Sequence, residues 1–117
     1  METLPGKILP IDTVQGDDLY WFFEAFRTLS KPEQHVFAML LSLPDYKFHG
    51  TYRDIARSCS LNPSYSPDIR RACLALDSLN LIVLEEPTTW YNRNIYLRPD
   101  WLDTFIKIGK GIYKCSR

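Results

Sequence analysis

No apolar stretch in this chain approaches the roughly 18 residues that a membrane-spanning helix requires, so no membrane span is expected. An excess of one charge is missing as well. The 14 Lys and Arg residues match 14 Asp and Glu, and the formal net charge is zero. A strong nucleic-acid binder often carries a global basic field, and this chain has none. Cysteine is sparse: Cys59, Cys73 and Cys115 are widely spaced, odd in number and form no CxxC pair. That argues against a disulfide framework and for a reducing, cytoplasmic setting. Met1 to Pro10 lacks a basic start followed by an apolar run, so no signal peptide is expected.

Catalytic patterns are absent too. His35 and His49 have no companions at metal-ligand spacing, which argues against zinc. No GxSxG, HExxH or EF-hand loop occurs. Gly109-Lys110-Gly111 lacks the upstream glycines of a phosphate loop. The expectation is a protein that is not an enzyme, with no cofactor, no metal and no evident small-molecule ligand.

What is present fits one folded domain. The chain has 117 residues, 45% of them apolar and 14% aromatic, enough for a single packed core. The organisation expected is an extended arm over residues 1–16, one domain over 17–108 and a basic tail over 109–117. Lys107, Lys110, Lys114 and Arg117 stand at that end with no acid from Thr104 onward. Such a tail either touches phosphates or is simply solvated.

Periodicity and capping residues set out the elements. Asp17 or Asp18 caps a helix over residues 17–29, whose stripe is Leu19, Phe22, Phe23, Phe26 and Leu29. Tyr20 and Trp21 lie off that stripe, so the helix either completes the core or offers a face to a second copy. Ser30-Lys31-Pro32-Glu33 is a capping box opening a second helix, with Val36, Phe37, Leu40 and Leu41 inward. Tyr46 to Gly50 can supply a short strand. Thr51, with Asp54, caps a third helix, whose inward stripe is Tyr52, Ile55, Ala56 and Cys59. After a turn over residues 61–65, Ser66 is expected to cap the next helix, with Ile69, Ala72, Cys73, Leu76 and Leu79 facing the core. Asn80 ends it, because Asn tolerates a positive φ. Residues 82–86 and 94–98 alternate as strands around a loop that holds Trp90, Tyr91, Asn92 and Arg93. Pro99 opens a last helix with the stripe Trp101, Leu102, Phe105 and Ile106, which Gly109 and Gly111 end. The fold class expected is mainly α with a small β-hairpin.

The run Thr51, Ile55-Ala56, Ile69-Arg70-Arg71-Ala72, Leu76, Leu79-Asn80-Leu81-Ile82 resembles the winged helix-turn-helix family of bacterial and phage DNA-binding proteins. The family's pattern is a helix ending in isoleucine or leucine then alanine, followed by a second helix closing on leucine, glycine, leucine, isoleucine. Here Asn80 stands in place of the glycine and Cys73 in place of a usual leucine. The turn before Ser66 is also longer than usual. The likeness covers residues 30–98. It implies a winged helix with an added N-terminal arm and helix and a C-terminal helix. The function implied is double-stranded DNA binding, in a transcriptional regulator or in the DNA-binding part of a replication or mobile-element protein.

The resemblance also assigns roles. The Ser66–Leu79 helix is the one expected in the major groove, and Arg70 and Arg71 lie off its core stripe, where guanidinium forks meet guanine or phosphate. Ser64, Tyr65 and Ser66 offer hydroxyls and amides to a phosphate. Arg53 and Arg57 reach the backbone from the preceding helix, Arg53 better placed. Asn92 and Arg93 act from the wing, Arg93 in a minor groove or on a phosphate. Trp90 and Tyr91 are expected to pack the hairpin to its domain. Asp68 and an exposed Leu74 fit a DNA reader poorly. With zero net charge, they leave open a winged helix that binds protein instead. A homodimer through the 17–29 helix is the other partnership expected.

Overall fold

A computed structural model describes residues 16–87 and 91–111. In chain order these are α1 (Gly16–Thr28), α2 (Lys31–Ser42), β1 (Lys47–Gly50), α3 (Tyr52–Ser58), a short 3-10 turn (Pro63–Tyr65), α4 (Ser66–Ser78), β2 (Ile82–Leu84), β3 (Arg93–Leu97) and α5 (Trp101–Lys110). The fold is mainly helical with a small antiparallel sheet. That sheet has three strands in the order β1-β3-β2, so the expected hairpin gains β1 along its outer edge. The arm over residues 1–15, Trp90 and the tail from residue 112, with Cys115, lie outside the described residues. Among the described residues no helix is long and apolar enough to cross a membrane.

Local chemistry explains most boundaries. Ser30 and Glu33 form a reciprocal capping box at α2, and Thr51 and Asp54 form another at α3. Asn80 takes φ 62° just after α4, so the chain can turn straight into β2. Ile82 pairs with Leu97 and Leu84 with Ile95, which turns one face of the sheet inward. Against it pack Val36, Phe37 and Leu40 of α2, Ile55 of α3, and Ile69, Cys73 and Leu76 of α4, all fully buried. At the far side, the rings of Phe22 and Phe105 lie 5.2 Å apart and those of Phe37 and Phe105 4.7 Å apart. These contacts tie α1 and α5 to the same core.

Four expectations need correction. Ser66 does not cap α4. The 3-10 turn runs directly into the helix, Ser66 already has helical angles, and Tyr65 occupies the cap position without a side-chain bond. Asn62 does the capping instead, accepting the Ser64 N–H at the turn. Gly109 does not end the last helix, and the basic tail does not begin there. Gly109 sits within α5 against the Trp21 backbone, where a Cβ would collide with the Trp21 carbonyl, and Gly111 (φ 76°) terminates the helix. The buried face of α1 is also narrower than the expected stripe. Phe22, Ala25 and Leu29 are buried, but Phe23 is 51% exposed, beside Tyr20 at 59%. Finally, Arg93 belongs to β3 and not to the loop.

Candidate nucleic-acid interface

The candidate interface centres on α4. With Ile69, Cys73 and Leu76 inward, the helical period turns Arg70, Arg71, Leu74 and Ser78 outward. Both arginines are exposed, and among the described residues nothing covers them. Their electrostatic situations differ. Arg71 pairs with Asp68 one turn earlier, while Arg70 is in none of the ion pairs among the described residues. Exposed pairs of this kind contribute little stability, about 1 kcal/mol at most, so Arg71 remains free to exchange partners.

The neighbouring elements bring further cations to Arg70. An open groove of about 480 Å³ is bounded by Arg53 from α3, Arg70 from α4 and Arg93 from β3. The hydroxyl side chains of Thr51, Tyr52, Ser66 and Tyr91 complete its wall, which holds no carboxylate among the described residues. Strand register makes this meeting possible. Gly50, the last residue of β1, sits opposite Arg93 on β3, and α3 begins two residues later at Tyr52. Arg93 shares the inward side of β3 with Ile95 and Leu97. Its guanidinium therefore lies over the Tyr52 ring, 4.4 Å from the centroid. The Arg93 Nε is buried without a hydrogen-bond partner among the described residues. Burial pushes the Tyr52 hydroxyl up from its ordinary value, and the Arg93 and Arg70 charges act against that shift. The hydroxyl is thus a neutral donor at physiological pH.

A second hollow of about 430 Å³ adjoins the first and shares Tyr52, Arg70, Tyr91 and Arg93. Its far side carries Leu74, Asp77, Glu85 and Glu86, so the face grades from basic at Arg53 to acidic at Glu85 and Glu86, just after β2. On the outer face of the sheet, Glu85 accepts bonds from Asn94 (3.1 Å) and the Tyr96 hydroxyl (3.0 Å). The Asn94 bond is the main reason the Glu85 carboxyl is held below its usual value, with the Tyr96 bond next. Asn94 also meets His49 Nδ1 at 3.0 Å.

Of the residues singled out from sequence, Arg53, Ser66, Arg70 and Arg93 come together in the main groove. Arg71 is on the same helix, turned toward Asp68. Arg57 is tied to Asp54 at 3.1 Å. Tyr65 lines a different hollow, beside His35 and Asp68. Ser64 is exposed in the 3-10 turn, and Asn92 is half-buried ahead of β3. The backbone amides expected to greet a phosphate are already used. The Ser64 N–H goes to the Asn62 side chain, Tyr65 N–H to Asn62 O and Ser66 N–H to Pro63 O, leaving only hydroxyls. Tyr91, expected to pack, is 75% exposed. Tyr52 and Tyr91 were missed as site residues. Tyr52 reads as a core position, and only the register of β1 on β3 brings it under Arg93. The chain matches no family model, no curated protein and no solved structure at a significant level.

Proposed function

We propose that this chain is a winged-helix protein that binds double-stranded DNA and catalyses no reaction. In this reading α2, α3 and α4 form the helical part, α4 enters the major groove and the loop between β2 and β3 is the wing. The strand order β1-β3-β2, with β2 and β3 doubling back after Asn80, supports it. The observation that carries it is the groove in which Arg53, Arg70 and Arg93 converge with no carboxylate in the wall among the described residues. A local cluster of this kind supplies what the zero net charge of the chain lacks. The role would be that of a transcriptional regulator or of the DNA-binding part of a replication or mobile-element protein.

A fluorescence titration of mixed duplex DNA with wild type and the Arg70→Ala/Arg71→Ala variant tests the proposal. Wild type binds and the double variant binds at least about tenfold more weakly, as expected when two charge-assisted contacts are lost. Equal binding by the two proteins would remove α4 from the groove.

Leu74, 40% exposed on the outward face of α4, favours a second reading, a winged helix that docks on a protein. Such docking would be nearly indifferent to salt, unlike DNA binding. A homodimer belongs to the proposal as well. Phe23 and Tyr20 stand exposed on α1 and offer a self-complementary apolar face. Sedimentation at micromolar concentration should show a dimer that Phe23→Asp dissociates; a wild-type monomer would reject this part.

A further inference from the structure

We infer that the groove between Arg53, Arg70 and Arg93 is a binding site for one phosphate group, with Tyr52 as the platform that holds Arg93 in place. The inference stands apart from the DNA reading, because the groove's chemistry does not depend on what the phosphate is attached to.

The pattern of pairing singles this groove out. Arg27, Arg57 and Arg71 each have a carboxylate within an ion pair one turn away. Arg53, Arg70, Arg93 and Arg98 have none among the described residues, and the fold gathers the first three from α3, α4 and β3 around one space. Like charges gathered around one space repel each other, and an anion in the groove converts that repulsion into attraction; Asp77, Glu85 and Glu86 of the adjoining hollow form no ion pair with them among the described residues. Arg93 is held by the Gly50 register and by the Tyr52 ring, so its ordering is complete before any ligand arrives. Its buried Nε has no acceptor among the described residues.

The geometry favours phosphate over carboxylate. A carboxylate is planar and offers two oxygens, which one guanidinium fork satisfies. A phosphate is tetrahedral and presents oxygens in several directions, suiting donors that come from three elements. The hydroxyls of Tyr52, Ser66 and Tyr91 add neutral donors around the rim. At about 480 Å³ the groove is larger than a lone phosphate, so the group arrives on something bigger. Two sources share this chemistry: the sugar-phosphate backbone of a duplex and a free phosphorylated small molecule.

Inorganic phosphate titrated at constant ionic strength, with chloride as the balancing anion, tests the site by NMR. Saturable shifts at the amides of Arg53, Arg70 and Arg93 are expected. Arg53→Ala and Arg70→Ala are surface changes that leave the fold intact, and each should weaken phosphate binding by about tenfold. Arg93→Lys keeps the charge but loses the fork and the stacking, and it should weaken binding comparably. Arg27→Ala, on α1, should change nothing. Absence of saturation, or wild-type phosphate binding by folded Arg70→Ala, overturns the inference. Addition of duplex then separates the sources. Displacement of phosphate by duplex assigns the group to a nucleic-acid backbone and supports both readings. Phosphate binding without any duplex binding keeps the site, assigns it to a free phosphorylated ligand and defeats the DNA reading. Duplex binding without phosphate binding does the reverse.

Discussion

Cys73 is buried behind α4, and that burial pushes its thiol up to about 12. It is therefore a small apolar core residue and not a nucleophile. Alkylation of the folded protein under mildly alkaline conditions should spare Cys73, which peptide mass mapping reads directly; rapid modification there would contradict its burial. The same shift has a stability sign. The folded value lies above the ordinary value of 9.0, so the contribution is complete below about pH 9 and is lost as pH rises toward about 12. Arg93 and Tyr52 make the complementary case. Alone, each has an ordinary sequence reading, a wing cation and a core aromatic. Stacked at 4.4 Å they are one preorganised donor at the edge of the groove. No local pattern links positions 52 and 93, because their meeting depends on strand pairing.

Helices with reciprocal caps were legible from sequence. Ser30 with Glu33 and Thr51 with Asp54 each sit three residues apart, and the caps they form involve only those residues and their own backbone. The Asp54 carboxyl is held below its usual value first by the Thr51 backbone N–H. The inward stripe of α4 was legible for the same reason, since Ile69, Cys73 and Leu76 follow from helical period alone. The start of α4 was not. Pro63 to Tyr65 forms a 3-10 turn that continues into the helix, so Ser66 never has the extended angles that a cap requires. The α1–α5 crossing was hidden too, because Gly109 reads as a helix terminator until its contact with the Trp21 backbone is seen. Gly109→Ala should force these two helices apart, at a cost of about 1–3 kcal/mol for overpacking. Urea denaturation measures this directly, and an unchanged midpoint would mean that the helices are not in close contact.

Taken as a whole, the molecule carries no net charge but distributes its charge unevenly over one face. Arg53, Arg70 and Arg93 line one hollow, and Asp77, Glu85 and Glu86 line the adjoining one, which Arg70 and Arg93 share. Composition alone concealed this, because it averages over surfaces that folding separates. In the proposed reading, a duplex lying along α4 would meet Arg53, Arg70 and Arg93 with its phosphates and keep Glu85 and Glu86 away from them. The polarity of the face, and not its total charge, would then set the orientation of binding. The most direct test is the dependence of duplex affinity on salt for wild type and for Arg70→Ala. Each phosphate contact releases condensed counterions, so affinity should fall steeply and linearly on logarithmic axes, with the variant's slope shallower by about one. Affinity indifferent to salt, or the same slope in both proteins, would contradict phosphate recognition by this face.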